Sequence, residues 1–239
     1  MSFERYDRIV EHYPAMWPLI VPGYLPILNA MLDVVRAASY RPAEVLDLGC
    51  GPGSATVAVA SACDPDGRVT LVDGSAEMLD SAQSLVQSNV RDIVLGDFTQ
   101  AATIVRVFEA GFYDLVLCSF ALHHVDDESK RQTLEHVAQC LAPGGFCLVA
   151  EEIAAERPGG WELIERIRAR FIDGHLQAGR ISKAFWELET SLPENAQLPF
   201  VPPRIDDLTS WMAASGLAVS CPVKIFGSAL MVGVKPEHG

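Results

Sequence analysis

The stretch Val45–Thr56, VLDLGCGPGSAT, constrains the fold of this chain more than any other segment. A short apolar run carries the acidic Asp47 near its end, Gly49, Gly51 and Gly53 follow at alternate positions, and an Ala/Val-rich helical sequence begins after them. That order describes a buried strand, a tight glycine turn and a helix whose N-terminus faces the turn. Glycines in the turn permit positive φ and remove the side chains that would hold a ligand away from the backbone. The helix N-terminus adds unpaired N–H groups and a partial positive charge, suited to an anionic group such as a carboxylate.

From Ala43 to Glu152 strand and helix patterns alternate. Apolar runs at Glu44–Leu48, Arg68–Val72, Asp92–Leu95, Tyr113–Cys118 and Phe146–Ala150 read as strands. Helical stretches at Ala55–Ala62, Ala76–Gln87, Thr99–Glu109 and Glu128–Leu141 separate them. Continuous apolar strands alternating with helices predict an α/β, Rossmann-like, doubly wound sheet that is mostly parallel and covered on both faces. Beyond it come an amphipathic helix at Trp161–Ala178, a Pro-rich connection at Leu192–Pro203 and a short helix at Ile205–Ser215. Two final apolar runs, Ala218–Phe226 and Ala229–Val234, flank Gly227-Ser228 and read as an antiparallel hairpin. The expected organisation is a helical lid segment over 1–40 with one or two helices, then a binding domain over 41–239 with a helical insertion at about 159–215.

The length of 239 residues allows one full domain, and the formal charge of −13 argues against nucleic acid as a partner. The N-terminus is charged from Glu4 onward and shows no signal-peptide pattern. The apolar segment Tyr13–Val35 is interrupted by Pro14, Pro18, Pro22 and Pro26, which argues against a membrane span. None of the six cysteines forms a C-x-x-C pair, so a reduced cytoplasmic chain with no bound metal is expected.

Ligands of such sheets bind beyond the carboxyl ends of the strands, and polar residues collect there. After the second strand, Asp73 stands about twenty positions beyond the glycine turn, where a carboxylate can accept from both hydroxyls of a ribose. Ser75 is the better helix cap of the two. After the third strand, the carboxylate of Asp97 in Gly96-Asp97-Phe98 can accept from an exocyclic adenine amine while Phe98 covers a ring edge. Ser119 ends the fourth strand, and His123 and His124 follow on the loop. Histidine suits proton transfer near neutrality, and adjacent residues rarely face the same pocket, so one of the two is the candidate base.

With these features in order, the chain resembles the class I S-adenosylmethionine-dependent methyltransferases. The matching residues are Asp47 to Gly53, Asp73, Gly96-Asp97, Tyr113 to Val116 and Leu141 to Gly145. The resemblance implies S-adenosyl-L-methionine as cofactor. It places the glycine loop, Asp47, Gly49, Cys50, Gly51 and Gly53, at the methionine part, Asp73 at the ribose, and Asp97 and Phe98 at the adenine, with Gly74, Met78, Gly96 and Ser119 as further cofactor-binding residues. A second resemblance, to bacterial carboxy-S-adenosylmethionine synthases, reaches the chain ends through Tyr6-Asp7-Arg8, Tyr13-Pro14, Val21 to Tyr24, Ile181-Ser182 and Phe226 to Ser228. It implies that Tyr24 contacts the cofactor from the lid. Where that family has an arginine for the extra carboxylate, this chain has Phe185, followed by Trp186, with Lys183 two residues before Phe185.

An apolar ring cannot pair with a carboxylate. The leading expectation is therefore methyl transfer to a small-molecule acceptor, with Phe185 and Trp186 lining an aromatic acceptor pocket. The rivals are a carboxy-S-adenosylmethionine synthase acting on S-adenosylmethionine and prephenate, and a non-catalytic binder of the cofactor or its demethylated product. Nicotinamide chemistry is disfavoured because its glycine pattern needs Gly or Ala where Ser54 stands. If the N-terminal segment is not a lid, it is an interface, as in a homodimer.

Overall fold

Strands form where the chain is apolar and β-branched, because such side chains pack well on a pleated surface buried from both sides. The computed structural model describes residues 4–86, 89–109, 111–156, 159–191 and 199–237. Its strands are β1 (Glu44–Leu48), β2 (Arg68–Asp73), β3 (Asn89–Leu95), β4 (Tyr113–Ser119), β5 (Leu141–Glu152), β6 (Ala218–Ile225) and β7 (Ser228–Val234). They make one seven-stranded sheet in the order β3-β2-β1-β4-β5-β7-β6. β1 to β5 pair parallel, and β7 lies antiparallel between β5 and β6. This is the doubly wound, mostly parallel sheet with a C-terminal hairpin that the sequence pattern predicts.

The helices are α1 (Glu4–Ile9), α2 (Tyr13–Ile20), α3 (Tyr24–Ala37), α4 (Ser54–Val59), α5 (Ala76–Leu85), α6 (Ala101–Phe108), α7 (Asp127–Cys140), α8 (Gly160–Gln177), α9 (Lys183–Ser191) and α10 (Ile205–Ala214). Alternate strand residues serve opposite faces, as the period of two requires. Val45, Leu71, Leu115, Leu117 and Leu148 pack with Met31, Val35, Val59 and Leu79 on one side. Leu46, Leu48, Val72, Val116 and Val149 pack with Val107, Leu134, Val137 and Met212 on the other.

Two expectations need correction. The N-terminal forty residues hold three helices, because their prolines fall where helices tolerate them: Pro14 opens α2, Pro22 stands in the turn before α3, and Pro26 lies in the first turn of α3. Only Pro18 sits inside a helix. Nor is the whole segment peripheral. Ile27 and Met31 have no solvent exposure and join the core. β3 also begins at Asn89, three residues before the expected start, where polar residues alternate with apolar ones at a register shift against β2. Of the Pro-rich connection, residues 192–198 lie outside the described residues.

Among the described residues, no single helix is long and apolar enough to cross a membrane; α2 and α3 reach that only as a pair bent by 105°.

The loop after β4 is held from below by a buried cation. Lys130, with no exposed side-chain surface, donates to the Val125 carbonyl at 2.7 Å and to Asp127 Oδ1 at 2.8 Å. Lys130→Met leaves that carbonyl unpaired and is expected to lower stability in urea denaturation by about 1–3 kcal/mol. An unchanged midpoint would show that the loop does not depend on the ammonium.

Candidate active site

The carboxyl ends of β1 to β4 open on one cavity of about 810 Å³, mouth included. Backbone hydrogen bonds bind its rim to β2: Cys50 N–H donates to the Val72 carbonyl at 3.0 Å, and Gly96 N–H to the Asp73 carbonyl at 2.9 Å. Two glycines are required by geometry. Gly49, at φ 64°, passes so close to the loop after β4 that a Cβ there would lie 2.5 Å from Ala121 Cβ. Gly51, at φ 52°, would carry its Cβ into space with nothing within 4 Å, so bare backbone faces the cavity.

Asp73 is fixed between these loops. Its Oδ2 accepts from Gly51 N–H at 2.8 Å and its Oδ1 from Ser75 N–H at 2.9 Å. Burial raises its pKa, and N–H bonds from Ser75, Gly51 and Gly74 act against that rise. A carboxylate has about four lone-pair sites, so each oxygen retains capacity for a further donor. Ser75 is the α5 cap, accepting from Met78 N–H at 3.1 Å, and its hydroxyl donates to Asp7 Oδ1 at 2.6 Å. That bond latches α1 to the rim. Across the cavity, Asp97 accepts from Thr99 N–H and Oγ1–H at 2.9 and 2.6 Å, which fixes its carboxylate in the wall beside Phe98.

The loop after β4 forms the opposite wall. Phe120 takes φ 55°, left-handed for a residue with a side chain; its N–H donates to the Ala150 carbonyl at 2.7 Å, and its ring lies 5.3 Å from that of Tyr24. Next to it, the fully buried Glu151 accepts from the N–H groups of Ala121 and Leu122 at 2.9 and 2.6 Å and pairs with His123 Nδ1 at 2.7 Å. The two histidines thereby part. His123 is buried away from the cavity, whereas His124 lines it with Nε2 2.6 Å from the Tyr6 hydroxyl.

Of the residues singled out in the sequence, Tyr24, Gly49, Cys50, Gly51, Asp73, Gly74, Met78, Gly96, Asp97, Phe98, Ser119 and His124 line this cavity. Five others do not. Asp47 is fully buried on the α4 side, with Oδ2 accepting from Thr56 Oγ1–H at 2.7 Å. Gly53 turns into α4 against Ala82 and Val86. His123 is engaged by Glu151. Phe185 packs in the core with its ring 5.6 Å from that of His12, and Trp186 packs against the same core. Phe185 and Trp186 therefore seat α9, because an apolar ring on a short helix finds more contact area in the core than at an open cavity.

Tyr6, Tyr13 and Phe120 line the cavity without having been assigned a role from sequence, and Glu151 organises it from behind. The sequence signal for Glu151 is a polar residue directly after the apolar run of β5. Tyr6 and Tyr13 stand among the residues that carry the second resemblance, but only the tertiary fold brings α1 and α2 over the strand ends.

Residues 45–145 match the family described as a methyltransferase domain. A carboxy-S-adenosyl-L-methionine synthase from Hydrogenovibrio crunogenus is 25% identical over 71% of this chain and 66% of its own length. One from Chromohalobacter salexigens is 32% identical over 69% of this chain and 61% of its own. Among solved structures, a DhpI complex with SAM superposes with a TM-score of 0.63 at 23% identity, covering 98% of this chain and 95% of that one. A putative methyltransferase from a Haloferax volcanii complex with its Trm112 activator reaches 0.66 at 18% identity, covering 100% and 99%. Residues 45–145 thus match a methyltransferase domain, and the sheet order and superpositions give the fold shared with S-adenosylmethionine-dependent methyltransferases. The chain resembles the carboxy-S-adenosyl-L-methionine synthases and spans less than two thirds of the length of these two.

Asp47 makes a pH test. Its Oδ1 has no hydrogen-bond partner among the described residues, and burial, opposed by the Thr56 hydrogen bonds, pushes its pKa from 3.8 up to about 7. As pH rises, the unfolded chain loses this proton first, so folding stability falls between about pH 4 and 7 and then levels off. Urea denaturation at about pH 5 and pH 8 is expected to show the stability difference between the parent and Asp47→Asn shifting in favour of Asn by about 2–3 kcal/mol. Parallel profiles would mean that Asp47 stays ionised in the fold.

Proposed function

We propose that this chain transfers the methyl group of S-adenosylmethionine to a small-molecule acceptor. The observation that carries this reading is Asp73, held at the end of β2 by the N–H groups of Gly51 and Ser75, beside bare glycine backbone and across from Asp97. These residues fit the donor's parts. Asp73 would hold the ribose hydroxyls, Asp97 and Phe98 the adenine, and the Gly49–Gly51 backbone the methionine end, with Tyr24 and Ser119 completing the walls. When bound, the cofactor supplies an electrophilic methyl on a sulfonium.

The protein's contribution is alignment and proton management. Alignment of the acceptor against the methyl is worth about 7–11 kcal/mol when the geometry is held. α1 and α2 act as the lid, bringing Tyr6 and Tyr13 over the cavity, while α3 serves the core. His124 is the base of the pair, since His123 is withdrawn.

A second reading, synthesis of a carboxylated cofactor, is favoured by the names of the relatives. The cavity argues for methyl transfer. Among the described residues, the charged side chains lining it are Asp73 and Asp97, both acidic, and Lys183 is exposed at the start of α9. A carboxylate beside them finds no counter-charge among the described lining side chains and carries a desolvation cost.

Calorimetry is expected to show saturable binding of S-adenosylmethionine, weakened about ten- to a hundredfold by Asp73→Asn, which trades a charged acceptor for a neutral one. Preference for a nicotinamide dinucleotide would overturn the reading. With S-adenosylmethionine and prephenate, mass spectrometry is expected to show no carboxylated cofactor; its formation would establish the second reading instead.

A further inference from the structure

We propose that the proton leaves the acceptor through a Tyr6–His124 relay, with Tyr6 the catalytic group that touches the acceptor, and that the acceptor is an uncharged phenol-type hydroxyl. The inference rests on the methyltransferase reading. His124 Nδ1 lies 3.0 Å from the Pro199 carbonyl, and its Nε2 lies 2.6 Å from the Tyr6 hydroxyl. A carbonyl only accepts, so Nδ1 carries the hydrogen. In the neutral ring Nε2 is then the acceptor, and Tyr6 must donate to it. The tautomer is thus fixed from outside, with the basic nitrogen aimed at the cavity through Tyr6.

Both residues line the cavity, which puts the hydrogen-bonded pair where an incoming hydroxyl would meet it. In the transfer step the acceptor oxygen forms its bond to the methyl carbon as the carbon–sulfur bond breaks, and that electron pair stays on sulfur. The acceptor's proton passes to Tyr6 Oη while the Tyr6 proton passes to His124 Nε2. The ring ends as an imidazolium whose Nδ1–H still faces the Pro199 carbonyl, and proton release to water restores it. No other reactant is needed.

The walls select the acceptor. Tyr6, Tyr13 and Phe120 give aromatic surface, with the Tyr6 and Tyr13 rings 6.3 Å apart. Asp73 and Asp97 disfavour an anion. A carboxylic acid would also arrive already ionised and need no base. A phenol-type hydroxyl, with a pKa of about 10, is neutral at physiological pH and must lose a proton to react.

Two measurements on the full chain test this. Nitrogen-15 NMR of histidine-labelled protein without cofactor is expected to show His124 protonated at Nδ1 and bare at Nε2; the opposite tautomer would overturn the relay. Methyl transfer is then compared for phenol and 4-nitrophenol at saturating S-adenosylmethionine and about pH 8.5, where the first is neutral and the second ionised. Tyr6→Phe and His124→Asn are expected to slow phenol by about a hundredfold or more and 4-nitrophenol by less than about threefold. Equal losses on both, or no loss, would make the pair structural and overturn the proposal. Transfer to benzylamine but to neither phenol would overturn the acceptor class. If S-adenosylmethionine binds and no phenol is methylated, the present inference falls alone; if it does not bind, the methyltransferase reading falls with it.

Discussion

A carboxylate removed from solvent costs several kcal/mol unless its oxygens are hydrogen-bonded. Glu151 meets that demand by reaching from the end of β5 into the loop after β4. Its two oxygens take the N–H groups of Ala121 and Leu122 and the Nδ1 of His123. That clamp holds the backbone that places Phe120 in its left-handed conformation and sends His124 the other way, into the cavity. The adjacent Gly49 has room only because the clamped loop carries a small residue, Ala121, at the contact. The glycine loop, the aromatic wall and the histidine wall are thus mutually fixed.

The N-terminal helices close the same cavity through apolar burial and polar contacts together. α3 is held by apolar burial around Ile27 and Met31. α1 is held both by the fully buried Ile9 and by polar contacts at the rim, Asp7 to the Ser75 hydroxyl and Tyr6 to His124. Polar contacts at a half-exposed rim each contribute about 0.5–1.5 kcal/mol, far less than an apolar helix face.

Legibility in the sequence followed the range of the forces involved. The strand–glycine–helix unit, the alternation and the final hairpin were readable because each is a local pattern. So was the row of residues just after strands: Asp73, Gly96 to Phe98 and Ser119 all line the cavity. Asp47 was misplaced, since alternation along β1 turns its side chain to Thr56 on the α4 face. Phe185 and Trp186 were misplaced because aromatic residues on an amphipathic helix look alike whether they face a ligand or the core.

The sequence by itself determined the sheet, its connections and the residues at its carboxyl edge, because strand burial and glycine geometry act within a few residues. Only the tertiary structure decided which histidine is available, which tyrosine meets it, and which carboxylate holds them. Those choices depend on contacts between residues 118, 28 and 75 positions apart, namely Tyr6 with His124, His123 with Glu151, and His124 with Pro199. No periodicity encodes such pairs. They form because packed sheet ends bring distant polar groups together.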